Sequence, residues 1–451
     1  MFSKISGDEI YDVIQYCYDK QYNKLGAEIS FEWLESKNIK LRNYTNNIYH
    51  PLIIDEDNIY YILEKLTIML YYVDEYKNIG YILSEMLSLN NTFVNVEMIR
   101  VNKEYYIDKL KYIEYIDLDI DYPRLELPKI ENDTYRPMNP SILKTNDGYL
   151  INCRFVNYTQ KKALHWTYLE TESKIKTKNF IIHMDKKLNI LSYHELIDAS
   201  WRTKIDTSSV NVLGLEDCIL FEHNKEIWFS CTTLDTEPFR IPKQNIGKLP
   251  KLNDISNKYE VMDIQVMKTE YGLKHMEKNW LPISSYKDNE KSIYFIYIHE
   301  YNNIKQVKYD VNDMTENIKD ITFINNEQYI NYPGLKYFRG SGGPIKFKVN
   351  NDIGFLSVIH EVIFRRDNGG RCYLHRFVYY DSYFNIQNIS RLFYFDHLGV
   401  EFCRSITKSH VSSEILIGVG IEDGNSRIYK INTNIIRSML IPLDKLKIIN
   451  Q

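Results

Sequence analysis

The chain has 451 residues, of which 44% are hydrophobic and 26% charged, so it can bury a sizeable core and is neither a disordered nor a fibrous polymer. Lys and Arg total 56 against 60 Asp and Glu, with no long basic run, which argues against a nucleic-acid partner, because neutralising phosphates asks for a positive stripe. Apolar stretches such as Ile293 to Ile298 fall far short of the roughly 20 residues of a membrane span. Met1 to Ile10 is charged where a signal peptide would be apolar. A soluble, cytoplasmic protein is therefore expected. The six cysteines (Cys17, Cys153, Cys218, Cys231, Cys372, Cys403) are scattered, and they read as free buried thiols of a reducing compartment rather than zinc ligands. The 38 tyrosines accompany abundant Ile, Asn and Lys, all with AT-rich codons. That excess reads as the base bias of a genome such as that of a large DNA virus or a protist, so a single Tyr or Asn carries little functional weight.

From Asp8 to about Leu110 the pattern is helical. Ile59, Ile62, Leu63, Leu66, Met69, Leu70 and Val73 recur at steps of three and four, and Ile79, Ile82, Leu83, Met86 and Leu87 continue after the polar break at Asp74-Glu75. This spacing predicts a helical hairpin, with a further helix around Ile10 to Tyr18 and another over Val96 to Leu110. Asp117 to Asp121 reads as a solvated linker rather than a metal site, and no metal constellation or cofactor motif is expected elsewhere. The chain divides near residue 120, into an α-helical unit over 1–120 and a β unit over 121–451.

Beyond Pro123 the period changes to two. Five apolar strands with polar ends start at Tyr149, Ile227, Ile293, Ile353 and Ile415, which are 78, 66, 60 and 62 residues apart. Each is preceded by a second recurring element: Asn139-Pro-Ser-Ile142, Glu216-Asp-Cys-Ile219, Lys278-Asn-Trp-Leu281, Gly342-Gly-Pro-Ile345 and Glu401-Phe-Cys-Arg-Ser-Ile406. Two paired strands repeated five times, with room for two outer strands each, predict a mainly β fold, a five-bladed β-propeller behind a small helical domain. The first set is expected to surround the axis. Its polar ends, with Arg154 and Asn157, Thr232 to Asp235, His299-Glu300, His360-Glu361 and Glu422-Asp423, would then meet at one mouth. Carboxylates, imidazoles and a guanidinium beside Trp228, Trp280, Tyr297 and Tyr149 suit a polyhydroxylated ligand, whose hydroxyls need polar partners and whose ring faces stack on apolar surfaces.

The order Asn139-Pro-Ser-Ile, Gly214-Leu-Glu-Asp217, Thr232-Thr-Leu-Asp235, Glu277-Lys-Asn-Trp-Leu-Pro282, His299, Arg339-Gly-Ser-Gly-Gly-Pro344 and His360 resembles glycoside hydrolase family 130. Those proteins are five-bladed propellers that include β-mannoside phosphorylases and hydrolases, and related propellers act as mannosyltransferases. The resemblance spans roughly residues 137–400. The hairpin with Tyr71-Tyr72 near its turn resembles, over about fifty residues, the tetratricopeptide-type segment preceding the catalytic domain in glycan-building proteins of large viruses and bacteria.

The resemblance implies that Asp235 is the general acid, because a glycosidic oxygen leaves poorly unless protonated as its bond breaks. It also implies that Lys278, Arg339, His299 and His360 hold a phosphate or anionic leaving group. The sequence departs from the family at two places. Cys218-Ile219 stands where Pro-Arg usually follows the Glu-Asp pair, and His299-Glu300 where His-Arg is common. Two cations are lost and a carboxylate is gained, which weakens the case for a phosphorylase and makes Glu300 or Glu361 a candidate base for water or an acceptor hydroxyl.

Glu216-Asp217 reads as a structural pair capping its blade, and the glycines after Arg339 as a tight turn, since no Lys or helix follows them as in a phosphate loop. The expected function is an enzyme making or rearranging a glycosidic bond in intracellular glycan assembly. Its substrate would be a carbohydrate, with a sugar phosphate or sugar nucleotide as donor, and a protein partner could dock through the helices. A hydrolase of the same fold and a non-catalytic glycan- or protein-binding propeller are the alternatives.

Overall fold

The computed structural model describes residues 4–44, 52–54, 58–89, 105–106, 135–161, 165–168, 174–204, 212–234, 241–269, 275–284, 292–298, 304–310, 318–320, 322–324, 337–365, 370–446 and 448–450. Four helices open the chain: α1 (Gly7–Asp19), α2 (Asn23–Ser36), α3 (Asn58–Tyr71) and α4 (Lys77–Leu89). Ser6 and Glu9 start α1 with a reciprocal capping box, which satisfies amides that the first turn leaves without partners. The periodic residues of the expected hairpin face inward, Ile59, Ile62, Leu63, Leu66, Met69 and Leu70 on α3 all being fully buried. Helix α4 is buried on every side from Ile79 to Leu89. It is the layer between α3 and the β domain, which explains its apolar character all round. The helix expected over Val96 to Leu110 falls largely outside the described residues, as do the run Asp117 to Asp121 and the boundary near residue 120.

Five sheets make a five-bladed propeller. From the axis outward, blade 1 runs Arg136–Lys144, Gly148–Val156, Ile175–Asp185, Ile190–Asp198, and blade 2 runs Glu216–His223, Glu226–Thr233, Lys243–Lys248, Ile264–Lys268. Blade 3 runs Leu281–Pro282, Ser292–Ile298, Ile304–Asp310, Thr322–Ile324, and blade 4 runs Arg339–Val349, Asp352–Arg365, Gly370–Tyr380, Ile386–Ile389. Among the described residues blade 5 has three strands, Glu401–Lys408, Glu414–Ile421 and Asn425–Asn432. The outer edges of blades 1, 2 and 4 are covered by chain from elsewhere in the propeller domain. Tyr259–Val261 adds to blade 1, Ile318–Asp320 to blade 2 and Ile441–Pro442 to blade 4, so strand edges that would template aggregation are paired.

The order of strands corrects one expectation. The strands beginning at Tyr149, Ile227, Ile293, Ile353 and Ile415 are second from the axis, and the elements carrying Asn139, Glu216, Leu281, Gly342 and Glu401 are innermost. Both sets are apolar because both are sandwiched between blades, so hydropathy alone does not rank them. Arg339-Gly-Ser-Gly-Gly-Pro is likewise an innermost strand rather than a turn. A Cβ on Gly340 would meet the carbonyl of Asn279 at 2.2 Å, so glycine is what lets blade 4 press against blade 3.

Innermost strands have one edge with no strand beside it, and serines satisfy the backbone there. Ser405 Oγ accepts from Ile142 N (2.8 Å) and donates to Pro140 O (3.0 Å), closing blade 5 on blade 1. Ser141 Oγ accepts from Leu220 N (2.8 Å), and Ser284 Oγ accepts from Glu222 N (3.1 Å), joining blades 1 to 2 and 2 to 3. Register slips at Met138/Ser141, Gly340/Ile345 and Cys403/Ser405 mark bulges in blades 1, 4 and 5, and another slip lies opposite Ser230/Thr232 in blade 2. Asn139, Asp217 and Asn279 take left-handed φ values of 46°, 50° and 63° at matching places, a conformation that Asn and Asp tolerate better than other side chains with a Cβ. A bulge breaks the alternation of a strand and re-aims a side chain, here toward the axis.

Helices and propeller share one hydrophobic cluster, in which α1 to α4 meet Leu281, Ile283, Phe338, Phe355 and Ile359 of blades 3 and 4. At its centre Glu85 of α4 accepts from Arg376 Nη2 (3.1 Å), Tyr81 Oη (3.1 Å) and Leu392 N (3.3 Å), and Arg376 also donates to Ser390 O (2.7 Å). Removing one partner of a buried pair strands the other charge. Glu85→Ala should therefore lower the unfolding free energy by about 3–5 kcal/mol in urea denaturation, and the double variant Glu85→Met, Arg376→Met should recover most of that loss.

Candidate functional site on the propeller axis

The polar groups that reach the axis come from the bulges and from the ends of the second strands. Arg154 closes blade 1's second strand and is buried, yet every nitrogen of its guanidinium is used. Nη1 donates to Asp217 Oδ1 (3.0 Å), Nη2 to Glu216 Oε1 (3.2 Å) and Nε to Thr177 Oγ1 (3.2 Å). Asn139 Nδ2 donates to the same Asp217 oxygen at 2.7 Å. Burial alone would raise the proton affinity of Asp217, but Arg154, then Arg404, and the Asn139 and Arg154 hydrogen bonds hold the carboxyl below its usual value. Arg154 is likewise held charged, against its burial, by Glu216 and Asp217. Glu216 and Asp217, read from the sequence as a blade cap, thus turn inward and grip the guanidinium.

Asp423 completes this side of the cluster from blade 5. Its backbone is left-handed, with φ 47°, and it is partly exposed. Burial of its carboxyl, reinforced by the Asp217, Glu422 and Glu216 carboxylates and offset in part by Arg154, pushes its pKa up to about 6. Two phenols, Tyr158 and Tyr373, lie within electrostatic reach of Asp423 and Asp217. Burial and then the Asp423 charge raise the Tyr373 pKa to about 12, so it is a hydroxyl donor at neutral pH.

Across the axis, blades 3 and 4 supply cations. His360 is buried, stacks on Tyr373 (5.5 Å between ring centroids, 18° between planes) and shares a 3.1 Å hydrogen bond between Nδ1 and Ser341 Oγ. Burial, then His375, Arg339, Lys278 and Arg404, lower its pKa far below the usual histidine value, so the ring is neutral. Lys278 is exposed and Arg339 half-buried. Lys278 sits beside Glu277, a buried carboxylate that accepts from Thr269 Oγ1 (2.8 Å), Trp280 Nε1 (3.3 Å) and Tyr297 Oη (3.4 Å) and lies 3.2 Å from His275 Nδ1.

Arg404 is the residue that sequence reasoning missed. It stands at the bulge of blade 5's innermost strand, fully buried, with Nε, Nη1 and Nη2 all lacking a hydrogen-bond partner among the described residues. The Phe402 ring lies 5.6 Å away, and Asp217 is the carboxylate that interacts with it most strongly. Three orphan donors on one buried cation are a large unpaid desolvation cost, which an oxyanion or ordered water at the axis would relieve. Its signal was a lone cation in Glu401-Phe-Cys-Arg-Ser-Ile406, at the register where Asn139 and Asp217 stand in their own strands.

Other expected residues are placed differently. Trp280 is buried, packed on Phe295 and Tyr297 (5.9 and 5.3 Å between ring centroids), and Trp228 and Tyr297 belong to the same cluster. None of them presents a ring face to a sugar, because the apolar contacts between blades consume those faces. Tyr149 is buried as well, its hydroxyl accepting from His410 N (2.9 Å). Asn157 is buried and spans its own loop, donating to Lys174 O (3.1 Å) and accepting from Lys176 N (2.8 Å). Glu361 is buried, and strand alternation sends its side chain to the face opposite His360. Asp235, His299 and Glu300 lie outside the described residues. A second cluster, Asp396, His397 and Glu401, has metal-ligating atoms within 4.8 Å of one another. Its groups are engaged internally, Glu401 accepting three backbone amides and His397 Nε2 lying 2.8 Å from Glu422.

The fold and site together define a five-bladed β-propeller with a buried, charged axial cluster, served by blades 1, 2 and 5 on one side and by cations of blades 3 and 4 on the other. Solved structures similar to this chain include one from the GH130 family of mannoside phosphorylases, described with glycoside hydrolases that target β-1,2 mannosidic linkages in Candida mannan. It has a TM-score of 0.42 and 10% identity, and the match covers 68% of this chain and 93% of that one. MPT-4, a mannose phosphorylase from Leishmania mexicana in complex with phosphate ion, matches at TM-score 0.40 and 9% identity over 74% of this chain and 97% of its own. An α-L-arabinanase from Cellvibrio cellulosa complexed with arabinohexaose matches at 0.36 and 8%, over 66% and 91%. No protein-family model and no curated protein matches the sequence.

The raised pKa of Asp423 sets a pH dependence. The folded state binds this proton more tightly than the unfolded chain, whose aspartate titrates near 3.8, so the proton's contribution to stability is complete below that value and lost as pH rises through about 6. Asp423→Asn should flatten the fall in stability of the wild type between pH 4 and 6, read as the urea midpoint against pH; an unchanged slope would show that the carboxyl titrates normally.

Proposed function

We propose that this chain is a carbohydrate-active enzyme that makes or rearranges a glycosidic bond at the axial mouth, with Asp235 as the general acid. The observation that carries the reading is the buried constellation of Arg154, Glu216, Asp217, Asn139 and Asp423 facing His360, Lys278, Arg339 and the orphan Arg404. Fixed carboxylates and amides are the groups that hold sugar hydroxyls with bidentate geometry, and Tyr158 and Tyr373 supply ring surface and hydroxyls beside them. A preorganised cation set opposite them suits an anionic leaving group or nucleophile, such as the phosphate of a sugar phosphate or sugar nucleotide.

In this mechanism the Asp235 carboxyl gives its proton to the glycosidic oxygen as the bond to the anomeric carbon breaks, and an oxygen nucleophile forms the new bond at that carbon. The nucleophile is a phosphate or an acceptor hydroxyl held by Lys278, Arg339, His299 and Arg404. His360, neutral, contributes a hydrogen bond rather than a charge. Glu300 takes the acceptor's proton in transfer, or water's proton if the enzyme hydrolyses, since Glu361 points to the strand face opposite His360. Six free, buried cysteines support a reducing compartment and hence intracellular glycan assembly over secreted degradation. The helices of residues 1–120 would serve as a tetratricopeptide-like docking module for the glycan-active unit over 121–451.

The test incubates the protein with sugar nucleotides, sugar phosphates and β-manno-oligosaccharides and compares wild type with Asp235→Asn. Loss of the general acid should lower kcat by about 10²–10⁴-fold. Equal turnover in both would remove Asp235 from the chemistry, and glycan binding without turnover in either would favour the non-catalytic propeller. Arg404→Met should leave the urea midpoint of the unliganded protein unchanged or raised, because an orphan charge is replaced by an apolar chain, while weakening a phosphate-bearing substrate by about tenfold or more.

A further inference from the structure

At the mouth opposite the Arg154–Asp217 cluster, the innermost strands of four blades and the residue two beyond blade 3's innermost strand form a ring: Lys144, Glu222, Ser284, Lys346 and Lys408. The relation is one of register. Lys144, Glu222 and Ser284 each stand five residues beyond the left-handed Asn139, Asp217 and Asn279, which at about 3.3 Å per strand residue puts this ring roughly 17 Å down the axis from that cluster. The ring surrounds a cavity of about 280 Å³, also lined by Thr145, Asn146 and Thr407.

Three ammonium groups on the consecutive blades 4, 5 and 1 face one carboxylate, a local charge of 3 − 1 = +2. Among the described residues no carboxylate pairs with any of the three lysines, and Lys144 Nζ donates to Ser409 O (3.0 Å). The crowding is felt at Lys408, where burial and then the charges of Lys144 and Lys346 lower the ammonium's hold on its proton. Like charges drawn this close by strand register are stabilised by a multivalent anion seated between them.

We propose that this far mouth of the axis binds a compact phosphate-bearing anion, held by Lys144, Lys346 and Lys408, at a site separate from the glycan cluster. Lysine binds phosphate as a point charge and the flanking threonines and Asn146 add neutral donors, so the site reads charge rather than planar shape. The cavity exceeds a lone phosphate ion, and it fits pyrophosphate or a phosphorylated small sugar. The shared chemistry is a phosphoryl group carrying two or more negative charges.

The experiment titrates the full chain with pyrophosphate and, separately, with glucose 1-phosphate by calorimetry at low ionic strength. For at least one probe, a site is expected that persists in Arg404→Met and is lost in the Lys346→Gln, Lys408→Gln double variant, the tighter probe identifying an inorganic or a sugar-borne phosphate. Affinity should fall with added NaCl. Lys346→Gln and Lys408→Gln, both exposed and so compatible with folding, should each weaken it by about tenfold. Glu222→Gln should tighten binding by removing the one like charge. The proposal is overturned if neither probe binds, if the Lys346→Gln, Lys408→Gln double variant binds like wild type, or if Arg404→Met abolishes binding, which would place the anion in the other cluster.

Discussion

One carboxylate organises the axis. Asp217 sits at a left-handed backbone position of blade 2 and accepts hydrogen bonds from Asn139 and Arg154 of blade 1 while facing the Arg404 guanidinium of blade 5. Three blades therefore meet at a single side chain, and each partner is oriented by it. Buried ion pairs seldom add net stability, because desolvation offsets their attraction. The folding free energy comes instead from the apolar layers between blades, whose clusters run from Tyr149 and Ile182 through Phe229 and Ile264 to Phe295 and Trp280. What Asp217 contributes is position, a network whose members cannot relax separately.

The two sides of the cluster are supported differently. Arg154, Glu216 and Asp217 lock one another, so this wall is rigid by its own hydrogen bonds. The opposite wall depends on what lies behind it. Leu281, Phe338 and Ile359 are chain neighbours of Trp280, Arg339 and His360, and all three pack in the cluster that the helices complete. Helix α4, tied by Glu85 to Arg376, is thus the backing of blades 3 and 4. A helical segment that looks like an appendage in sequence is part of the scaffold behind the cationic wall.

Much of the fold was legible because its cause is periodic. The change of period after residue 123 and the five spaced strands declared a propeller, and steps of three and four declared α3 and α4. What failed was the ranking of neighbouring strands. Strands 148–156 and 136–144 both carry a buried apolar run, since blades cover both, and only the pairing order shows which lines the axis. The same cause misdirected the aromatic residues. Trp280 has the composition of a sugar platform, but its ring lies between blades 2 and 3, where burial is worth more than an exposed face. Arg404 went unread for the converse reason: a single Arg in a strand looks like surface until bulge register puts it on the axis.

The sequence by itself determined the alternation of elements, the five-fold repeat and the residue types that bulges and serine bridges require, all of which are local or periodic properties. It also contained Arg154 and His360 at the polar ends of repeated strands. Only the tertiary structure decided which strand is innermost, that Glu216 and Asp217 face Arg154 rather than solvent, that Arg404 is left without a partner, and that three lysines gather at the far mouth. Each of those facts depends on distances between residues some 60 to 260 positions apart in the chain. Such distances are set by how five blades close on one another, and no local pattern encodes them.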